Sequence, residues 1–140
     1  MSEDLHPNVV RVVEAARQAG LELQPVRQPD GAKTAADAAA AIGVDVGQIV
    51  KSLIFDVDGE IVLAFVSGAD QLDEARLAAA AGGERCGRVD GRTVRDVTGF
   101  PIGGVPPFGH IRPLRAFADP GLLDHDEVWA AAGTWHDVFP

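Results

Sequence analysis

The sequence predicts an α+β domain in which a mixed, curved β-sheet is flanked by helices. The chain has 140 residues, of which 46% are hydrophobic and 24% charged, and this is the size and composition of one globular domain. Two consecutive strand-like segments are apolar at nearly every position, and segments with helical periodicity lie before and after them. Because helices separate only some of the strands, a mixed sheet is favoured over a purely parallel one. We therefore expect residues 1–140 to form a single domain.

Two helices are predicted before the first strand. Residues 8–19 carry apolar side chains at helical spacing, with a proline near the start and a glycine just past the end. Thr34 and Asp37 resemble a capping box, which opens a helix over residues 35–42 that Gly43 closes.

A β-hairpin is predicted at the centre of the core. Its strands are residues 49–55 and 61–66, and the Asp58-Gly59 pair between them is a strong hairpin signal. Both strands lack polar alternation, which indicates that both faces of the hairpin are covered.

The second half of the chain mixes short elements with an irregular segment. Glycine and proline dominate residues 100–109, which we predict to be a loop. Glycine also separates the last two predicted strands, at Gly133. The remaining predictions are a helix over 70–81, a short helical turn over 93–98, and strands near 114–117, 128–131 and 135–139.

The charge distribution limits the partners that the surface can bind. Twelve basic and 21 acidic residues give a net charge of −9, which disfavours binding of nucleic acid or anionic membranes by the whole surface. The stretch 76–115 is different, because it holds seven arginines and only three acidic residues. We expect this arginine-rich stretch to accept a phosphate-bearing ligand locally.

Cysteine content and hydropathy point to the reducing cytoplasm. Cys86 is the single cysteine, so the chain has no internal disulfide. No apolar run approaches the ~20 residues that a membrane helix needs. The first ten residues are acidic and polar, which is unlike a signal peptide. We therefore expect a cytoplasmic protein with no membrane partner.

Lys51 is the first residue with potential chemistry, because it lies inside an apolar strand. The period of two places it on the same side as Leu53 and Phe55. The residue pattern leaves two interpretations open: Lys51 extends to solvent at the rim of the sheet, or it points into a pocket.

The loop over residues 103–109 is the second candidate. Pro106 and Pro107 fix the backbone and lack amide donors, whereas the adjacent glycines permit unusual conformations. The remaining free N–H groups belong to Gly103, Gly104 and Val105, and such amides can bind a carbonyl oxygen or an oxyanion. A tight connection between two elements is the alternative interpretation.

Other familiar catalytic patterns are missing from the sequence. The four histidines show no metal-ligand spacing, and no serine lies in a nucleophile elbow. Nearby Arg85 and Arg88 are expected to favour the thiolate of Cys86, although a structural thiol is the simpler interpretation. Neither a dinucleotide-binding nor a Walker A motif occurs. We expect no cofactor and no metal.

Taken together, these segments resemble the YbaK/prolyl-tRNA-synthetase-associated domain family, whose members are aminoacyl-tRNA deacylases that edit mischarged tRNA. The most specific match is the family's Gly-x-x-x-Pro loop, which runs from Gly103 to Pro107. The motifs follow the family's order over about 100 residues and comprise 34–39, 42–44, 48–55, 98–100, 103–109 and 132–136.

The resemblance implies a fold and a set of site residues. The sheet is expected to be partly barrel-like. Lys51 matches the family's key lysine, and its ammonium group is expected to project toward the loop across a cavity sized for a small acyl group. Ser52 follows the lysine where some members have asparagine, which implies different recognition there. The implied substrate-binding residues are Gly103, Gly104, Val105, Pro106, Pro107, Ser52, Gly133 and His136.

The resemblance implies a freestanding, metal-independent hydrolase that removes a small amino acid from mischarged tRNA. Its partner is then the tRNA acceptor end, with a synthetase or an elongation factor as an additional partner, and the protein is a monomer or a weak dimer. No side-chain general base is evident, so a ribose hydroxyl of the substrate is expected to assist. Two alternatives remain: a non-catalytic module of the same fold that binds the acceptor end or a synthetase, and a small-molecule hydrolase that uses Cys86.

Overall fold

A computed structural model describes residues 5–140, which form four helices and seven strands in two sheets. Residues 1–4, over which no signal peptide is predicted, lie outside the described part. The helices are α1 (Pro7–Gln18), α2 (Ala35–Ile42), α3 (Glu74–Ala81) and α4 (Gly91–Thr98). The strands are β1 (Val26–Arg27), β2 (Val50–Val57), β3 (Glu60–Ser67), β4 (Cys86–Arg88), β5 (Arg115–Ala118), β6 (Ala130–Thr134) and β7 (Asp137–Phe139).

The β2–β3 hairpin organises the larger sheet, as predicted. Val50 pairs with Ser67 at its open end and Val57 pairs with Glu60 at its turn. Asp58 and Gly59 at the turn both have positive φ, of 50° and 92°, which the two-residue hairpin turn favours. β4 pairs antiparallel with β2, and β5 pairs parallel with β3. The resulting four-stranded sheet, with the order β4-β2-β3-β5, is therefore mixed.

The second sheet is antiparallel and has the order β1-β7-β6. It is joined to the first sheet just before β2, where Ile49 forms a bridge with Trp129. The Val50 amide donates to the Trp129 carbonyl at 2.8 Å, and the Trp129 amide donates to the Gln48 carbonyl at 2.8 Å. Neither sheet closes on itself. The structure therefore has two open sheets that meet at this junction, where a partly barrel-like sheet was expected.

Both faces of the hairpin are covered, as its apolar strands predicted. One face carries Ile54 and Leu63, which pack in a cluster with Phe100 and Val105 from the segment after α4. The opposite face carries residues of β2 and β3 that pack against α3, with Phe55 as its largest member. The α+β class with mixed strand pairing is thereby confirmed.

Several element boundaries differ from the sequence prediction, and one strand was not predicted. The helix expected from residue 70 begins at Glu74, because the Asp73 side chain accepts a hydrogen bond from the Arg76 amide and caps the helix there. Gly133 lies inside β6 instead of between the last strands, which are separated by Trp135 and His136. β4 was not predicted, since its three residues, Cys86–Arg88, show no apolar alternation.

No helix between residues 5 and 140 is both long and apolar enough to cross a membrane.

The junction between α4 and the following loop depends on a buried threonine. Thr98 is fully buried, and its hydroxyl donates to the Val94 carbonyl at 2.7 Å. The same oxygen accepts a hydrogen bond from the Phe100 amide at 3.0 Å. The hydroxyl therefore fixes the chain reversal that delivers Phe100 to the core.

We predict that Thr98→Val lowers the free energy of unfolding by about 1–3 kcal/mol, because it leaves the buried Phe100 amide without an acceptor. Thr98→Ser keeps the hydroxyl and serves as the control, which is expected to lose less stability. Urea denaturation of the three proteins measures the difference. Equal stability of the valine variant and the wild type contradicts the role given to the hydroxyl.

Candidate functional site

The glycine–proline loop is held rigidly against the second sheet. Gly103 has a φ of +86°, a conformation that favours glycine. Gly104 packs so closely on β6 that a Cβ atom there would lie 2.9 Å from the Gly133 carbonyl oxygen. The Pro106 carbonyl accepts a hydrogen bond of 2.7 Å from Nε2 of His110. The loop is thus fixed at both ends by contacts that tolerate little change.

Two of the three amides predicted to be free remain so. The Gly104 amide donates to the Pro101 carbonyl at 2.9 Å and closes a turn, so the expectation for this residue was wrong. The amides of Gly103 and Val105 have no acceptor among residues 5–140. Since the loop conformation fixes these N–H groups in advance, they can bind an oxygen that gains negative charge without further ordering.

A cavity of 510 Å³, here called the main cavity, lies between α2, the start of β2 and this loop. Its walls are mostly small and apolar, and several alanines from α2 and β6 contribute to them. Its size and composition fall in the range of small-ligand sites. The lining residues are 32–36, Ala38, Val46, 49–53, Gly68, 102–103, Val105, 129–131, 134–135 and Val138.

Lys51 borders the main cavity, but its ammonium group is directed elsewhere. Nζ donates a hydrogen bond of 2.6 Å to the Asp70 carbonyl, in the segment that precedes α3. Alternation along β2 places Lys51 on the face that α3 covers, whereas Val105 packs on the opposite face. The expected projection of the ammonium group toward the loop is therefore not the arrangement in the structure. Lys51 therefore lines the main cavity while its ammonium group is held at the Asp70 carbonyl.

Ser52 lies on the loop side of β2, between Val50 and Ile54. Its hydroxyl oxygen is buried and has no hydrogen-bond partner among the described residues. The residue lines the main cavity together with Gly103 and Val105. A buried hydroxyl without a partner normally costs free energy, so Ser52 is a residue whose hydroxyl the fold itself does not use.

The other predicted site residues do not line the main cavity. Gly104, Pro106 and Pro107 shape the loop from behind it. Gly133 and His136 line a separate cleft on the far side of the 101–104 segment. The His136 ring donates from Nδ1 to the Gln28 carbonyl at 3.0 Å, and the Gly133 carbonyl accepts from the Asn8 side chain at 3.0 Å.

Cys86 does not have the electrostatic environment of a nucleophile. Burial raises the pKa of its thiol, and the nearby carboxylates of Glu74 and Asp56 raise it further. The expectation that Arg85 and Arg88 favour the thiolate was therefore wrong. Among residues 5–140, no three His, Cys, Asp or Glu side chains cluster closely enough to hold a metal ion.

Comparisons with known proteins identify the family of the chain. A family model described as an aminoacyl-tRNA editing domain matches residues 29–140. The chain belongs to the aminoacyl-tRNA editing domain family. A crystal structure described as a candidate trans-editing enzyme for prolyl-tRNA synthetase is 43% identical, with a TM-score of 0.91. The match covers 97% of the editing domain and 87% of that chain.

Curated relatives of the editing domain are proline–tRNA ligases. That of Desulforamulus reducens is 38% identical over 99 residues, or 71% of the editing domain and 17% of the ligase. That of Nitratidesulfovibrio vulgaris (strain DP4) is 35% identical over 122 residues, or 87% of the editing domain and 21% of the ligase. The editing domain thus spans about a fifth of the length of these relatives.

Two tryptophans at the site received no role from the sequence. Trp129 lines the main cavity beside the junction of the two sheets. Trp135 lines both the main cavity and the separate cleft, and its indole N–H donates to the Ile102 carbonyl at 2.7 Å. Trp135 lies in a segment that carries the family resemblance. The sequence pattern does not predict that the side chain is exposed or that it lies between two cavities.

His110 connects the loop of the editing domain to the core. Its ring packs edge-on against Phe100, with the ring centroids 6.5 Å apart. Burial lowers the pKa of His110, and the hydrogen bond to the Pro106 carbonyl opposes this shift in part. The folded state therefore binds a proton at this imidazole more weakly than the unfolded chain does.

We predict a loss of stability at mildly acidic pH that depends on His110. A His pKa that is lower in the folded state contributes stability that is present above the unfolded value of about 6.5 and is lost as pH falls through the folded-state pKa. The free energy of unfolding should therefore fall more steeply below about pH 6.5 in the wild type than in His110→Gln, whose amide can still donate to the Pro106 carbonyl. Parallel pH profiles of the two proteins contradict this assignment.

Proposed function

We propose that the editing domain hydrolyses the ester between a small amino acid and the terminal ribose of a mischarged tRNA, and that it does so as a separate protein in the cytoplasm. The observation that carries this proposal is that Ser52 and Gly103 line one apolar cavity, and that the Gly103 amide has no acceptor among the described residues. Membership of the aminoacyl-tRNA editing domain family supplies the class of substrate. The likeness to a candidate trans-editing enzyme over 97% of this chain supports action in trans.

The proposed reaction is a simple ester hydrolysis. Water adds to the carbonyl carbon, the bond to the ribose oxygen breaks, and that oxygen takes a proton, which releases the free amino acid and a tRNA with a free terminal hydroxyl. The Gly103 amide binds the carbonyl oxygen as it gains negative charge, with the Val105 amide beside it in the loop. No Asp, Glu or His among the described residues lines the main cavity, so the neighbouring ribose hydroxyl is the proposed proton relay: it takes a proton from the water and passes its own to the leaving ribose oxygen. This step does not call for a metal ion.

Lys51 is proposed to bind the phosphate of the terminal nucleotide. Its ammonium group is bonded to a backbone carbonyl and not to a carboxylate, and the residue is only partly buried. A phosphate is a stronger partner for an ammonium group than a neutral carbonyl is. Rotation of the side chain away from Asp70 thus allows Lys51 to meet the substrate at the mouth of the cavity.

The small apolar wall suits a small amino acid side chain. The alanines of α2 and β6 can remove water from a small side chain of the substrate, but they make no specific polar contact with it. Such a wall excludes large side chains by volume, but a difference of one methylene changes the barrier by only about 1–3 kcal/mol. Alanine, serine and cysteine esters are therefore the proposed candidates.

We predict that Lys51→Ala lowers kcat/KM for deacylation by about 10- to 100-fold, because it removes one charge-assisted hydrogen bond to the substrate phosphate. A panel of charged tRNAs, with loss of the ester as the readout, measures activity and specificity together. Lys33→Ala is the matched control, because Lys33 is exposed, borders the same cavity and carries the same charge. Its loss should change kcat/KM only a few-fold and in a salt-dependent manner.

A wild-type protein that cleaves no ester of the panel faster than buffer contradicts the enzymatic proposal. If it still binds uncharged tRNA, the non-catalytic binding module takes its place, and Lys51→Ala then lowers affinity alone. Full activity of Cys86→Ala is expected, which excludes a thiol-dependent reaction.

We further predict that Ser52→Ala separates activity from stability. Loss of one hydrogen bond to the substrate should lower kcat/KM by about tenfold, whereas removal of a buried hydroxyl without a partner should leave the free energy of unfolding unchanged or raise it by about 1 kcal/mol.

Ser67→Ala provides the opposite pattern of stability. The Ser67 hydroxyl donates to the Gly47 carbonyl at 3.0 Å and accepts from the Ala69 amide at 3.2 Å, so its loss should cost about 1 kcal/mol. Ser52→Ala with wild-type kcat/KM for every ester excludes contact between this hydroxyl and the substrate.

A further inference from the structure

A second cavity, here called the polar cleft, lies beside the main cavity and differs from it in chemistry. Its volume is 500 Å³, and its side chains include His6, Asn8, Arg95, Trp135 and His136. No aspartate or glutamate lines it within residues 5–140. In a chain with a net charge of −9, a cleft that is lined by an arginine and by no acidic residue favours an anionic ligand.

Trp135 forms the boundary between the polar cleft and the main cavity. Thr134 and Trp135 line both, so a ligand in one cavity is adjacent to a ligand in the other. Trp135 is 47% exposed, although its indole N–H is anchored on the Ile102 carbonyl at 2.7 Å. The anchor holds the ring in place before any ligand arrives. An exposed aromatic ring that is held in place in the same cleft as an arginine suits single-stranded nucleic acid, whose bases stack and whose phosphates are anionic.

Arg95 is the cation of the polar cleft that is available for a phosphate. It is exposed, and no carboxylate within residues 5–140 forms a salt bridge with it. Two other arginines of the arginine-rich stretch form ion pairs, since Arg76 contacts Asp73 at 3.8 Å and Arg115 contacts Glu60 at 2.6 Å. Arg11, near the cleft, stacks over Phe100 at 4.4 Å and donates to the Gly99 carbonyl.

We propose that the polar cleft binds the single-stranded 3′ end of an RNA, with a base stacked on Trp135 and a backbone phosphate held by Arg95. This inference rests on the proposed function, because it assumes that the acyl end of the same molecule enters the main cavity. It adds a subsite for the nucleotides that precede the reacting ester. The shared wall at Thr134 and Trp135 lets one strand run from the cleft to the cavity.

Direct binding of a short RNA tests the stacking contact. The probe is the trinucleotide CCA with a free 3′ hydroxyl, titrated into the full-length protein by calorimetry. Trp135→Leu removes the ring and should weaken binding about tenfold or more, whereas Trp135→Phe keeps a ring and should stay within about threefold of wild type. Both variants lose the hydrogen bond to the Ile102 carbonyl, so equal losses in the two overturn the stacking role.

Salt dependence tests the phosphate contact. Arg95→Gln should lower the slope of log K against log salt concentration by about one, the signature of one lost phosphate contact. Arg92→Gln is the matched control, because Arg92 lies on the same helix, is exposed, and does not line the cleft. If both variants lower the slope equally, the attraction is diffuse and the assignment of the cleft is overturned.

Activity measurements separate this proposal from the proposed function. If the wild type deacylates a tRNA and Trp135→Leu and Arg95→Gln keep its KM, the polar cleft is not the RNA subsite, although the editing function stands. If the wild type cleaves no ester yet binds CCA with the predicted losses in the variants, the subsite stands and the catalytic proposal fails.

Discussion

The close contact between the glycine–proline loop and the second sheet determines the rest of the site. Gly104 packs against the backbone of Gly133, and Trp135 is bonded to the Ile102 carbonyl. These contacts hold the Gly103 amide at the wall of the main cavity and place Trp135 between the two cavities. Any shift of the loop away from β6 would therefore alter both cavities at once.

The site contains an energetic conflict that its proposed chemistry explains. A hydroxyl at Ser52 and two loop amides lack partners among the described residues, and such groups reduce the stability of a folded chain. The surrounding core compensates, since both faces of the hairpin are packed and Thr98 and His110 fix the start and the end of the loop. Polar groups that have no partner in the folded chain remain available to a ligand, which here is the proposed ester substrate.

Local patterns predicted most of the fold. The hairpin turn at Asp58-Gly59, the capping of α2 by Thr34 and the irregular segment over residues 100–109 all follow from residues close in sequence. β4 and the bounds of the last strands could not be predicted from nearby residues. Cys86–Arg88 pairs with β2, which is distant in sequence, and Gly133 lies inside a strand.

The site was predictable only in part, for the same physical reason. The alternation along β2 placed Lys51 with Leu53 and Phe55, but it gave no information on which face α3 covers and which face the loop covers. The polar cleft joins residues near the first helix, on α4 and in the last hairpin, and such a meeting depends on tertiary packing alone. Ser52 was singled out because it departs from the asparagine of some relatives, whereas its lack of a partner appears only in three dimensions.

The resting position of Lys51 depends on the segment before α3. The Asp70 amide is tied to the Ser67 carbonyl at 3.0 Å, so the carbonyl that holds the ammonium group is itself fixed to the end of β3. A shorter or longer connection between β3 and α3 would release the lysine or move its resting point. The length of this connection therefore sets where the ammonium group of Lys51 rests relative to the main cavity.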